Sequence, residues 1–327
     1  MKRNYSIDML RIVAMCAVVM IHVYSYFPCL IGSSVARICA DLSRWAVPVF
    51  IMISGSFLLQ REINLKSLWG GQRIFKLLYL LLFWNCVYWL IYPGELPSLY
   101  KILIDTNTCH LYFLYVLILL YVLLPILQTI VKSGYGWYYV AIWFLIDVVL
   151  STLNITEQGG LINHIKDDFI SMSFGYSGYF VLGYMLYNFR NMFKRYKCVL
   201  CIIVCLSMLL YVVVSSTDYV KYLSGGYFNV LITASSISLF ALFSNFNTQY
   251  SERISLLIKR LSLSSLGVYL IHPLVIEFFR VNGIDELIVS SVVYPSLAIF
   301  IILIVVVLIS YLLSYLLKRY TLVLPIL

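Results

Sequence analysis

Arg11 and His22 lie within the first long apolar run of the chain, Met9 to Phe27. A guanidinium near the centre of a bilayer costs ~2.5 kcal/mol or more, so an ionisable group in such a run is read first as functional. Eleven positions at about 100° each amount to three turns plus roughly 20°, which puts both side chains on one helix face about 16 Å apart along the axis. Imidazole titrates near physiological pH and suits proton transfer. One face therefore offers a fixed cation at one level and a proton acceptor at another.

Other groups could serve the same site. Asp8 precedes Arg11 by three positions and can form an ion pair with it, lowering the cost of holding the charge at the membrane edge. His110, Asp147 and Glu277 fall at the same level as His22 in later apolar segments, where each could hold a substrate hydroxyl or orient the imidazole. Arg73 and Lys76 open the third segment one turn apart and, with Arg11, could receive the phosphates of a soluble donor. His272 precedes Pro273 in mid-segment, where its expected role is structural support of a kinked helix.

The elements that must position these groups are membrane helices. Hydrophobic residues make up 62% of the 327 positions and charged residues 11%, too little polar surface to cover a soluble domain of this size. The expected fold is all-α, a polytopic bundle of ten spans in one membrane domain, residues 1–327, with no separate soluble domain. The spans are 8–27, 44–60, 74–92, 110–131, 136–153, 168–187, 197–215, 227–246, 263–281 and 290–317, with the second interrupted by Pro48 and Ser54-Gly55-Ser56. The first lacks a small-x-small cleavage site and reads as an uncleaved helix. Of 23 Lys and Arg, Arg11 is intramembrane and only Arg37, Arg44, Lys101, Lys166, Lys221 and Arg280 lie opposite the amino-terminal side. That bias puts both termini in the cytoplasm, and it accounts for the net charge of +9 without a nucleic-acid partner.

Most cysteines, among them Cys16, Cys86, Cys198, Cys201 and Cys205, fall in apolar runs and behave as small hydrophobes. Cys198-x-x-Cys201 has no histidine or acid beside it, so no metal is expected. A Cys29–Cys39 bridge is left open by the spacing.

Asp8-x-x-Arg11 followed by His22 resembles the opening signature of the acyltransferase-3 family of integral membrane O-acyltransferases. Phe50-Ile51-Met52-Ile53-Ser54-Gly55 is similar to that family's second-helix motif, and Arg73-Ile74-Phe75-Lys76 to a reduced form of its basic third-helix opening. His110 to Tyr115 and Leu263 to Pro273 resemble two later motifs, in the same order. The resemblance implies transfer of an acyl group, usually acetyl, from cytoplasmic acetyl-CoA to a hydroxyl of a surface polysaccharide or lipid-linked sugar. It also implies that His22 is catalytic, that Arg11 engages the donor, and that the chain sits in the inner membrane of a bacterium. Two departures stand out: the third-helix cluster has fewer cations, and the outer hydrolase-like domain of some relatives is lacking. The alternative is a transporter or flippase of a glycan or its precursor, with His22, Asp147 and Glu277 along its path.

Overall fold

A computed structural model of the chain describes residues 3–31, 33–61, 73–91, 110–153, 169–216, 226–246, 250–292 and 294–320. Each apolar segment named above holds a helix. They are α1 (Tyr5–Tyr26), α2 (Pro28–Ile31), α3 (Ser34–Asp41), α4 (Ala46–Leu58), α5 (Arg73–Ile91), α6 (Tyr112–Lys132) and α7 (Gly136–Trp143), which continues as a π-helix, Phe144–Val149. Then follow α8 (Phe169–Asn188), α9 (Lys197–Ser215), α10 (Val230–Ser244), α11 (Glu252–Val281), α12 (Ile284–Ser291) and α13 (Pro295–Tyr320). Among the described residues no strand occurs, and seven helices are long and apolar enough to cross a membrane.

Two boundaries differ from expectation. The ninth segment starts at Glu252 rather than 263, because the polar turn Glu252 to Arg260 continues the same helix before its apolar part begins. The second segment is unbroken from Ala46 to Leu58 despite its breakers. Pro48 falls in the first turn, where its missing N–H has no intrahelical acceptor to lose. Ser54 and Ser56 return their hydroxyls to the carbonyls of Phe50 and Ile53.

Helix α1 is central. Asn4 caps it, its side chain accepting from the backbone N–H groups of Ser6 and Ile7. One stripe, Ile7, Leu10, Ala14 and Val18, is buried in a core with α4, α6, α8 and α10. A second, Met15, Val19, Met20 and Val23, is buried in another core with α5, α11 and α13. Being packed on both sides fixes the rotation of α1, and with it the direction in which Arg11 and His22 point.

Helices α4 and α8 meet backbone to backbone. A Cβ on Gly55 would collide with the carbonyl of Phe180, and one on Gly183 with the carbonyl of Met52. Small residues permit such close approach, and van der Waals contact over the full seam then stabilises the pair. The seam is what holds the cavity-facing residues of α4 in place.

The Cys29–Cys39 bridge that the spacing left open is not formed; both are free thiols. The Cys29 thiol instead donates to Asp285 Oδ2 on α12 at 3.3 Å. Burial, then the hydrogen bond and charge of Asp285, push this thiol up to about 12. The group is thus protonated throughout the neutral range, and thiolate forms only as pH approaches that value. Cys29 should label with a maleimide at pH 7.5 about a hundredfold or more slower than an ordinary thiol, and Asp285→Asn should speed it. Equal rates for both proteins would refute the carboxylate's part.

Candidate active site

Where the two packed faces of α1 meet, between Val18 of one and Met15 and Val19 of the other, the helix borders a cavity of about 250 Å³. Arg11, Met15, Val18, Val19 and His22 line it in turn, following i, i+4, i+7, i+8 and i+11 of one helix face. The opposite wall is α11, with Ser262, Ser265, Leu266 and Tyr269; α4 adds Val47, Phe50 and Ser54, and α6 adds Tyr112, Phe113 and Leu117. The middle is therefore apolar and narrow. The guanidinium stands at one end and the imidazole at the other.

At the His22 end, three of the chain's four histidines converge. Ring centroids are 5.0 Å apart for His22 and His272, 6.5 Å for His22 and His110, and 6.2 Å for His110 and His272. His164 lies outside the described residues. His272 is fully buried, and its Nδ1 lies 3.1 Å from the carbonyl of Val268. A carbonyl accepts only, so Nδ1 carries the proton and Nε2 keeps a lone pair, which has no hydrogen-bond partner in its buried position. The same ring also reaches the carbonyl of Tyr269, the one that loses its helical donor to Pro273. His272 thus faces both the kink and His22. Sequence reading assigned it only the first; the signal for the second was an intramembrane histidine among three.

His110 is held on its other side by Tyr88, ring edge to ring face at 4.5 Å, and the Tyr88 hydroxyl donates to the carbonyl of Leu270 on α11. Its Nε2 is buried without a partner. Tyr269 and Phe113 pack over the same space. Among the described residues no grouping of His, Cys, Asp and Glu has the arrangement to hold a metal ion.

At the Arg11 end a polar chain runs through Asp8. Its carboxylate accepts from Arg3 Nε at 2.6 Å and from Ser262 Oγ at 2.7 Å, while Arg11 Nη1 donates to Ser262 Oγ at 3.2 Å and stands 3.7 Å from Asp8. The expected Asp8–Arg11 pair exists but is the longest link, because Ser262 stands between them, donating to the Oδ1 that faces Arg11, while Arg3 takes Oδ2. Arg11 keeps donor capacity toward the cavity.

The remaining candidates lie elsewhere. Arg73 and Lys76 are exposed at the start of α5, and neither lines the cavity. Asp147 sits in the π-helix, where i→i+5 turns break the 3.6-residue phase, and lies against Gly175 of α8 rather than beside His22. Glu277 is tied to Arg280 by two hydrogen bonds, at 2.6 and 2.8 Å, beyond the last cavity-lining turn of α11.

A family model described as an acyltransferase domain matches residues 4–315, nearly the whole chain and all of the cavity wall. The chain belongs to the acyltransferase-3 family. No curated protein and no solved structure matches it. Within this acyltransferase domain, the cavity brings a titratable imidazole and a guanidinium to its two ends, which makes it the candidate place of reaction.

Proposed function

We propose that this acyltransferase moves an acetyl group from cytoplasmic acetyl-CoA to a hydroxyl of a surface polysaccharide or lipid-linked sugar at the outer side of the inner membrane of a bacterium. In this reading both termini are cytoplasmic. The observation that carries it is the single cavity shared by Arg11 and His22. Its walls suit the donor's arm, since Ser54, Ser262 and Ser265 can meet amides while Val18, Val19 and Leu117 enclose methylenes. The donor supplies an acyl group already activated as a thioester.

Arg11 holds the charged end at the cytoplasmic mouth. His22 accepts the proton of the acceptor hydroxyl as its oxygen attacks the acyl carbonyl; the carbon–sulfur bond then breaks and the imidazolium returns the proton to the departing sulfur. The alternative order uses the same geometry: the His22 ring attacks the thioester, the carbon–sulfur bond breaks to release the thiolate, and the acceptor hydroxyl then displaces the acyl group, leaving its proton on the ring. His272 Nε2, open in the structure and 5.0 Å from His22 between ring centroids, takes a hydrogen bond from the His22 ring as the substrates close on it and so fixes its orientation. His110, beside both, meets the acceptor.

A transport function would use Asp147 and Glu277 alongside His22. Neither borders the cavity, and nothing else favours that reading.

Membranes containing the protein should move label from acetyl-labelled coenzyme A to a lipid-linked sugar or polymer. Arg11→Ala should weaken donor binding in detergent about tenfold, and His110→Ala should lower acceptor use with donor binding intact. Glycan crossing without labelled product, or equal loss of both properties in both variants, would refute the reading.

A further inference from the structure

A second hollow of about 720 Å³ opens beside the first, on the amino-terminal side of the bundle. It is lined from residues 3–6 at the start of α1, residues 187–194 at the end of α8 and beyond it, and residues 244–246, 250 and 255 from the end of α10 and the start of α11. Among the described residues, three cations border it, Arg3, Arg190 and Lys194, and no carboxylate does. Asp8, next to this lining, is already engaged by Arg3 and Ser262. Arg190 is set in place: Nη1 donates to the carbonyl of Tyr187 at 2.7 Å and the guanidinium lies 4.5 Å over the Tyr187 ring. Such a fixed fork suits phosphate oxygens, and its remaining N–H groups are turned to no carboxylate.

An independent observation comes from Asn245. It is 6% exposed and borders the hollow; its Nδ2 donates to the carbonyl of Ala241 at 2.9 Å, and its Oδ1 is buried with no partner. A buried acceptor left open is costly unless a ligand or water donates to it. Positive-inside bias explains surface cations but leaves this amide unexplained. Cations for phosphate, aromatic rings at Tyr187 and Tyr250, and a buried acceptor for an amino group together describe a phosphorylated nucleobase.

We propose that this hollow binds the phosphorylated nucleoside end of the acyl donor, with Arg3, Arg190 and Lys194 on its phosphates and Asn245 on its base. The assignment rests on the acyl-transfer reading above and deepens it. The Arg3–Asp8–Ser262–Arg11 chain joins the hollow to the cavity, so a ligand seated here passes its uncharged arm directly to the Arg11 end. That relocates the phosphate contacts from Arg73 and Lys76, which border neither space. The competing source of the same chemistry is the headgroup of an anionic lipid.

The test uses the purified full chain in neutral detergent with adenosine 3′,5′-bisphosphate, which has no thioester and no arm. Wild type and His22→Ala should bind it alike by calorimetry, and Arg190→Gln/Lys194→Gln about tenfold more weakly or less. Lys194→Gln alone, at an exposed position, should show a smaller loss in the same direction with an unchanged melting temperature. In the transfer assay the double variant should raise the donor KM about tenfold with kcat retained at saturation. Unchanged affinity and KM alongside normal transfer would overturn this assignment and leave the acyltransferase reading intact. Displacement of the bisphosphate by phosphatidylglycerol micelles, with no effect of the variants on KM, would overturn it in favour of a lipid site. Nucleotide binding that follows the variants in a protein without transfer activity would support the hollow and sink the reaction.

Discussion

His22→Ala is expected to lower acyl transfer by about a thousandfold while the protein accumulates normally. The size follows from what the ring does: whether it takes the acceptor's proton or carries the acyl group, no neighbour can replace it. His272 has its Nδ1 engaged with Val268, and His110 is packed against Tyr88. The fold should tolerate the change because the imidazole already borders empty space, so truncation widens an existing cavity rather than opening a core. Labelled product from equal amounts of wild-type and variant membranes measures the effect. Wild-type yield from His22→Ala would dismiss the residue from the chemistry. A His272→Gln variant sharpens the result, since loss of the orienting Nε2 should lower kcat and shift the pH profile while donor binding stays unchanged.

Gly55→Leu is expected to abolish recovery of folded protein. Even a methyl at this position would meet the carbonyl of Phe180 inside van der Waals contact, and backbone cannot swing aside as a side chain can. Overpacking of this kind costs about 3 kcal/mol or more. Gly183→Leu should behave in the same way from the opposite helix, against Met52. Gly136→Ala is the control. There the new methyl would press on the Sδ of Met185, the flexible end of an unbranched chain, and should cost about 1 kcal/mol at most. Monodispersity and melting in detergent distinguish the three, and survival of Gly55→Leu with a wild-type melting temperature would mean that the α4–α8 seam is looser than described.

Much of the frame could be read from the residues before any coordinates. Helical phase alone put Arg11 and His22 on one face, and the apolar runs marked the longer helices, because both depend on local periodicity; the short α2 and α3, between the first two runs, carried no such mark. What phase does not reveal is which helix stands opposite. His272 was read only through its proline, since nothing in the sequence says that α11 packs across from α1. Arg73 and Lys76 looked like donor ligands because they share a helix turn, yet α5 packs with its opening turn away from the cavity. Asp147 misled for a different reason, a π-helical stretch that resets the phase on which its level was judged. Asn245 and Arg190 gave no signal, since a buried acceptor and a stacked guanidinium become visible only once three distant stretches come together.

The neck between Arg11 and His22, walled by Met15, Val18, Val19 and Leu266, has an electrical consequence. A hydrated ion entering it would exchange most of its water for methyl groups and a few hydroxyls, a cost on the order of several kcal/mol. A neutral pantetheine-like thread faces no such barrier. On the proposed reading, the cavity thus admits an uncharged carrier while opposing the leak of ions that would run down a membrane potential.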